Sequence, residues 1–374
     1  MKPTIAGLLL LFIPFFLFSQ ENFKTKNIFI IAIDGFRWQE IYQGADPGLI
    51  FNRKYVSDTS LMRQLFWDEN PAERRSKLLP FFWSVIAERG QLYGNRAFGN
   101  KVNVKNIYKI SYPGYNEMLT GYTDPRIILN IQHNNRNINV LEFLNRQKDF
   151  EGKVVAFSSW NMFPYILNAE RSKLAINSGY ELIAHNPCDS TFRFIDEVQE
   201  NVVHKTNTRY DWLTYLSARE YIEQNHPRVV FLGFGETDHF AHQGRYDMYL
   251  QRANAIDKMI SDLWYEVQSD PFYKDQTTFI ITTDHGRGRN TETWFTHLFF
   301  IRGSGQTWLA MLGPDIAPLG EMKEDLQIYQ KQVAPTVAHM LGQQFAVSHP
   351  VAGPINLPNN TNPNNSGAEQ LASK

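Results

Sequence analysis

Five short segments of this chain are apolar along almost their whole length: 27–33 (NIFIIAI), 153–158 (KVVAFS), 228–234 (RVVFLGF), 277–282 (TTFIIT) and 307–312 (TWLAML). A strand that alternates apolar and polar residues keeps one face wet, whereas a strand apolar at every position has to be covered on both faces. Amphipathic stretches suited to helices fall between these runs, at 77–89, 140–147, 210–224, 248–268 and 332–341. Strands alternating with helices predict an α/β fold, a three-layer αβα sandwich around a mostly parallel central sheet. Neither an internal repeat nor a second domain is visible. A single domain over 21–350 is expected, with about 172–209, which lacks a clear period, forming a loop-rich cap or insertion.

The ends read differently. Residues 1–20 place Lys2 ahead of a fourteen-residue apolar run, 5–18, followed by Ser19 and Gln20. Fourteen helical residues reach only about 21 Å, short of the roughly 30 Å hydrocarbon core of a bilayer. A secretory signal peptide fits that length, so the chain is expected to be exported, periplasmic or secreted, with no membrane attachment once the segment is removed. Residues 351–374, rich in Asn, Pro and Ser towards the end, are expected to be a disordered tail. Cys188 is the only cysteine, so neither an intramolecular disulfide nor a thiolate cluster is available. The 37 Lys and Arg against 38 Asp and Glu give a net charge of −1, without the basic excess of a nucleic-acid-binding domain. Nothing in the sequence sets the oligomeric state.

Chemistry gathers where the apolar runs stop. Ligands of open α/β sheets bind beyond the carboxyl ends of the strands. The run 27–33 leads into Asp34 and Gly35, the run 228–234 into Asp238, His239 and His242, and the run 277–282 into Asp284, His285 and Gly286. An acidic residue after one strand is commonly a turn or cap residue. Three such ends at one sheet edge predict convergence on a single site.

Asp238 and His242 are four apart and share a face if their turn is helical. Asp284 and His285 are adjacent at a strand end, and Asp34 adds a third carboxylate. His297 is placed to close a nitrogen and oxygen site with Asp238 and His242, with His239 as the competitor for a ligand role. Carboxylates with imidazoles and no thiolate favour zinc or manganese over calcium. Two divalent ions then need a nucleophile, and Ser111 is the candidate. Pro113 suits the first turn of a helix and Gly121 its end, which puts Ser111 at the N-terminus, where free N–H groups favour an anion. The bland role for such a serine is an N-cap. A metal beside it would turn it into an effective nucleophile.

In the order and spacing of Asp34-Gly35, Ser111-x-Pro with Thr120-Gly121, Asp238-x3-His242, Asp284-His285-Gly286 and His297, the chain resembles the alkaline phosphatase superfamily. Within it the closest likeness is to the nucleotide pyrophosphatase/phosphodiesterase-like branch, and it extends over most of 27–345. The resemblance implies an alkaline-phosphatase-like fold and two zinc-like ions. It assigns Asp34, Ser111, Asp284 and His285 to one ion, and Asp238, His242 and His297 to the other. It also implies a side-chain donor to a substrate oxygen downstream of the nucleophile, for which Asn116, Asn130 and Asn134 are candidates. That branch usually carries Thr where Ser111 stands, and family members usually carry Gly where Leu298 follows the last His.

The expected activity is hydrolysis of a small-molecule phosphate ester, mono- or diester, through a phosphoseryl intermediate on Ser111. Two other activities share such a site. Sulfatases of this superfamily carry Cys/Ser-x-Pro-x-Arg, but Tyr115 stands where the Arg belongs and Gly35 follows Asp34 where they have a second Asp. A phosphoglycerate-mutase-like enzyme carries a large insertion after its serine, yet only 126 residues separate Ser111 from Asp238. A third alternative is a secreted binding protein that kept the fold and lost catalysis. Arg287 and Arg289 are candidates to meet phosphate oxygens, and Tyr112, Tyr115 and Phe240 to line a groove.

Overall fold

In the computed structural model, residues 23–183 and 190–358 are described; the leader-like segment 1–20 and residues 359–374 of the expected tail lie outside them. In chain order the strands are β1 (Asn27–Ile33), β2 (Gln91–Tyr93), β3 (Lys101–Asn103), β4 (Val154–Ser158), β5 (Ala175–Ser178) and β6 (Val229–Phe234). They continue with β7 (Thr277–Thr282), β8 (Gln306–Thr307), β9 (Leu309–Leu312), β10 (Gly320–Glu321) and β11 (Gln327–Tyr329). Eight form one sheet in the order β10-β2-β9-β7-β1-β6-β4-β5, and β11, β3 and β8 form a small second sheet. In the large sheet only β9 runs against the others.

The apolar runs produce this arrangement by burying both faces. In β1, Phe29, Ile31 and Ile33 join the core on one side, and Ile28, Ile30 and Ala32 the core on the other. The first core is closed by helices that include Thr59–Phe66, Asp211–Asn225 and Tyr246–Ser269. The second is closed by Ser111–Thr120, Val140–Asn145 and Val333–Met340. The fold is therefore the expected three-layer αβα sandwich with a mostly parallel sheet. Among the described residues, no helix is long and apolar enough to cross a membrane.

Three expectations change. The run 307–312 divides: Trp308 separates β8, which pairs in the small sheet, from β9, which pairs antiparallel with β7 and β2. Residues 172–209 are more than a cap, because β5 extends the sheet in parallel beside β4 and Ser190–Glu200 is a helix. Residues 351–358, expected in the tail, are ordered against the domain: the Ala352 N–H donates to Gly121 O at 3.0 Å, the Ile355 N–H donates to Thr336 Oγ1 at 2.8 Å, and Ile355 is buried.

Register brings the strand ends together. Ile33 pairs with Phe234, Ala32 with Thr282, and Ser158 with Gly233, so β1, β4, β6 and β7 finish at one edge. Facing that edge is the N-terminus of Ser111–Thr120. Its approach is fixed by Glu117, fully buried, whose Oε1 accepts the Lys105 N–H at 2.7 Å and whose Oε2 accepts the Asn106 N–H at 2.7 Å. This carboxylate clamps the segment that enters the helix to the helix itself. Glu117→Ala strands two buried donors and is expected to cost about 3 kcal/mol or more. Glu117→Gln, which keeps one acceptor, costs less. Chemical denaturation checks this, and an unchanged midpoint for Glu117→Ala contradicts the clamp.

Candidate metal centre

Asp34 is the first residue past β1, and its neighbour Gly35 turns the chain with φ +59°. A Cβ on Gly35 would stand 2.8 Å from Asp238 Oδ1 and 2.9 Å from Arg287 Nε, so the position excludes side chains twice over. The Gly35 N–H donates to Asp284 Oδ1 at 3.0 Å, tying the end of β1 to the end of β7. Tyr115, from the facing helix, donates its hydroxyl to Asp34 Oδ2 at 3.1 Å. These bonds leave Asp34 Oδ1 and Asp284 Oδ2 buried with no hydrogen-bond partner.

Ser111 is the first residue of its helix, and Ile110 is the N-cap, with no side-chain capping bond. The serine hydroxyl is thus not spent on capping; its Oγ lies 3.2 Å from His285 Nε2. Gly114 allows the helix to come this close, since a Cβ there would stand 2.5 Å from Asp284 O. His285 Nδ1 lies 3.0 Å from Gly286 O, and a carbonyl can only accept, so the proton sits on Nδ1 and Nε2 presents its lone pair. That lone pair is 3.3 Å from Asp284 Oδ2, 3.6 Å from Asp34 Oδ1 and 3.9 Å from Asp238 Oδ1.

Asp238 and His242 lie on the helix Glu236–His242 that follows β6, with His242 Nε2 3.3 Å from Asp238 Oδ2. His297 Nδ1 donates to Lys109 O at 2.8 Å by the same logic, turning its Nε2 to 3.7 Å from Asp238 Oδ1 and 3.0 Å from His242 Nε2. All seven expected residues therefore meet. Ligand atoms of Asp34, Asp284 and His285, and again of Asp238, His285 and His297, lie within 4.8 Å of one another. His239, the competitor, turns its Nε2 to Gln243 at 2.8 Å instead.

This is a site short of positive charge. Burial first, and then the nearby Asp284, push the Asp34 carboxyl up to about 8. Burial likewise raises Asp284 to about 7 and lowers His285 to about 4, and it holds His242 and His297 below the usual imidazole range. Orphaned carboxylate oxygens beside imidazole lone pairs are the surroundings a divalent cation satisfies.

A cavity of about 350 Å³ opens over the site, lined among others by Asp34, Ser111, Asp238, His242, His297 and Asn130. Trp160, Asn207 and Thr208 complete its far wall, so the segment 172–209 does reach the site. Of the proposed substrate donors, Asn130 lines the cavity; its Oδ1 accepts the Tyr112 N–H at 2.9 Å, which leaves its NH2 as the free group. Asn116 does not: it is buried, its Nδ2 donates to Tyr122 O at 2.9 Å, and its Oδ1 accepts from Asn135 and Asn137, each at 3.1 Å. That polar network is its function. Asn134 is bound to Glu170 at 3.1 Å.

Arg287 also differs from expectation. It is fully buried, with Nε on Gly35 O at 3.0 Å, Nη1 on Phe295 O at 2.8 Å and Nη2 on Asp238 Oδ1. It is committed to the Asp238 carboxylate and two backbone carbonyls, while Arg289 Nε donates to Gln306 Oε1 at 3.0 Å and Arg289 does not line the cavity. Tyr112 and Tyr115 are buried and are not among the described residues that line this cavity. The sequence does not single out Trp160, since a lone Trp after a strand carries no distinguishing signal.

Comparisons with known proteins agree with this fold. The profile of the Metalloenzyme superfamily matches residues 195–297, the stretch that holds Asp238, His242, Asp284, His285 and His297. No curated protein matches the chain significantly in sequence. Among solved structures, the lipoteichoic acid synthase LtaP from Listeria monocytogenes is similar at 11% identity and a TM-score of 0.55, over 85% of this chain and 72% of that one. Wild-type alkaline phosphatase PafA is similar at 12% identity and a TM-score of 0.53, over 88% of this chain and 98% of its own. A 2-O GAG sulfatase is similar at 12% identity and a TM-score of 0.54, over 88% of this chain and 73% of its own.

Metal binding must displace the protons that burial keeps on Asp34 and Asp284, whose pKa values in the metal-free protein are about 8 and about 7. Below these values protons compete, so affinity for Mn2+ is expected to fall by at least about tenfold between roughly pH 8 and pH 6, with net proton release. Calorimetric titration of metal-stripped protein in two buffers of different ionisation enthalpy measures both quantities. An affinity independent of pH contradicts the assignment.

Proposed function

We propose that this chain, which carries the alkaline phosphatase superfamily fold, is an exported metal-dependent hydrolase of phosphate esters that favours diesters. The observation that carries the reading is Ser111: a hydroxyl at a helix N-terminus that it does not cap, 3.2 Å from His285 Nε2, in the lining of a cavity that Asp34, with its orphaned Oδ1, also lines. Asp34, Ser111, Asp284 and His285 would hold one divalent ion, and Asp238, His242 and His297 a second. When bound, these ions, zinc or manganese by the donor set, supply the Lewis-acid charge that makes a serine oxygen nucleophilic at neutral pH.

The chain's own residues do the rest. Of the N–H groups that open Ser111–Thr120, Tyr112 donates to Asn130 Oδ1, Gly114 donates to Ile110 O and Pro113 has none, so the Ser111 N–H is the one that would meet negative charge developing at phosphorus. Ser111 gives up its hydroxyl proton to solvent, and its Oγ bonds to phosphorus as the ester P–O bond breaks; the leaving oxygen keeps the electron pair, takes a proton from solvent and departs as the alcohol. The oxygen of a water then bonds to phosphorus as the bond to Ser111 Oγ breaks; Oγ takes up a proton to restore the hydroxyl, and the phosphate product leaves. Asn130 offers an NH2 donor to a non-bridging oxygen, and Tyr115 holds Asp34 in position from its buried side.

Ester type follows from the walls. Among the described residues, no Lys or Arg lines the cavity; Asn130, Asn207, Thr208 and Trp160 offer neutral donors and an aromatic surface. A monoester dianion asks for more positive charge than a diester monoanion, so these walls favour the diester. Tyr115 takes the place of the sulfatase arginine and is committed to Asp34 at 3.1 Å, which weighs against sulfate esters. Residues 1–20 support export.

Metal analysis of purified protein should find about two divalent ions per chain. Side-by-side rates should rank bis(4-nitrophenyl) phosphate above 4-nitrophenyl phosphate, and both above 4-nitrophenyl sulfate. Ser111→Ala should lower the diester rate by about a thousandfold or more, as loss of a covalent nucleophile does. Sulfate as the fastest substrate, or retained diester activity in Ser111→Ala, overturns the proposal.

A further inference from the structure

We infer that Arg287 makes the two ion sites unequal: the site of Asp34, Asp284, His285 and Ser111 holds its ion tightly, and the site of Asp238, His242 and His297 holds its ion weakly and exchanges it. The inference rests on the two-ion reading of the site and concerns what this chain's own residues do to those ions.

The first group is rich in uncommitted negative charge. It has two carboxylates, and in each of them one buried oxygen, Asp34 Oδ1 and Asp284 Oδ2, has no hydrogen-bond partner. The lone pair of His285 Nε2 belongs with this group by distance. It lies 3.3 Å from Asp284 Oδ2 and 3.6 Å from Asp34 Oδ1, against 3.9 Å from Asp238 Oδ1. The second group is left with one carboxylate, Asp238, and two imidazoles. Of its oxygens, Oδ1 already accepts from Arg287 Nη2, and Oδ2 lies 3.3 Å from His242 Nε2.

The cation at Asp238 is fixed in place. Arg287 is fully buried; its Nε donates to Gly35 O at 3.0 Å and its Nη1 to Phe295 O at 2.8 Å. Gly35 packs so closely on it that a Cβ there would stand 2.9 Å from both Nε and Nη2. A lysine ammonium on a flexible stem could retreat when an ion arrives, but a guanidinium bonded through all three nitrogens stays. An ion entering the second site therefore meets a carboxylate whose charge is already matched, with a like charge held beside it. No hydrogen bond joins Arg287 to Asp34 or Asp284 among the described residues. A single charge about 4–6 Å away changes the binding of one proton by about tenfold to a thousandfold, and a dication feels it at least as strongly. The chain thus keeps one ion beside Ser111 and fills the second site according to the free metal around it, which makes metal supply a control on the active fraction.

The test is calorimetric titration of metal-stripped, full-length protein with Mn2+ at pH 8. It should resolve two steps that differ in affinity by about tenfold or more, and dialysis of the loaded protein against a weak chelator should remove one ion and leave one. His242 is half-exposed, so His242→Ala should fold; it should abolish the weak step and keep the tight one. Arg287→Gln, which removes the charge, should strengthen the second step by about tenfold or more, whereas Arg287→Lys, which keeps it, should stay within about threefold of wild type. Circular dichroism verifies each fold, and the wild-type and His242→Ala titrations decide the inequality even where an Arg287 variant does not fold. Two steps of equal affinity overturn the inference, as does loss of the tight step in His242→Ala. So does an Arg287→Gln variant whose second step is unchanged or weaker, which makes Arg287 a support for Asp238 and not a competitor of the ion. Absence of any Mn2+ binding removes the metal reading itself, whereas two equal ions keep that reading and remove only the inequality.

Discussion

Asp34 and Asp284 stand at the ends of adjacent parallel strands, both carboxylates are buried, and one oxygen of each has no donor. An unpaired charge away from water is among the most expensive things a fold can contain, and a carboxyl left alone in such a place keeps its proton. The surroundings soften this only in part. The Gly35 N–H and the Tyr115 hydroxyl each satisfy one oxygen, and both histidine tautomers nearest the pair present lone pairs, adding electron density to an already electron-rich point. Protons relieve this cost while the carboxyls stay neutral, and a bound cation would relieve it with both ionised.

The rest of the domain acts to hold these groups still. Strands buried on both faces cannot slide without moving an entire apolar set out of its core, so the register that aligns Asp34, Asp284 and Gly235 is rigid. Behind the helix that carries Asp238 and His242, Asp211 accepts the Gly235 N–H at 2.8 Å, the Glu236 N–H at 3.1 Å and the Ser159 hydroxyl at 2.6 Å. That carboxylate fixes the turn out of β6 much as Glu117 fixes the turn into the Ser111 helix. Arg287, which burial lowers to about 9, supplies the one fixed cation in contact with Asp238 among the described residues. Two carboxylate clamps and one buried guanidinium thus define the approach of three elements to one point.

How much of this the sequence discloses depends on how local the cause is. The long central strands are legible because two-sided burial writes an unbroken apolar run, and Asp34, Asp238, His242, Asp284 and His285 are legible as candidate ligands because they follow such runs, whereas His297 has no such mark. Ser111 is legible through Pro113 and Gly121. Short edge strands such as β2 and β10 leave no pattern of their own, and β9 looks parallel because burial on both faces does not record strand direction. The roles of Asn116 and Arg287 stay hidden for a related reason. Their partners, Asn135, Asn137 and Asp238, are 19, 21 and 49 residues away in the chain, and a polar side chain near a site reads alike whether it faces substrate or scaffold.

The near-neutral composition follows the same logic. Of the fully buried arginines, Arg37 pairs with buried Glu40 and Arg287 with half-buried Asp238, while Arg209 donates to Thr214, Asn177 and Gln199, so the net charge of −1 says little about any one place. At the cavity the balance is uneven: the floor is acidic and the walls are neutral. Positive charge bound at the floor would therefore reach a substrate undiluted by wall charges, attracting an anion while leaving its ester substituents to neutral and apolar contacts. Selection among esters then falls to groups such as Asn130 and Trp160, which touch the cavity without carrying charge. A chain with one cysteine has no disulfide to secure such a geometry; packing on both faces of the sheet and satisfaction of the buried carboxylates have to secure it instead.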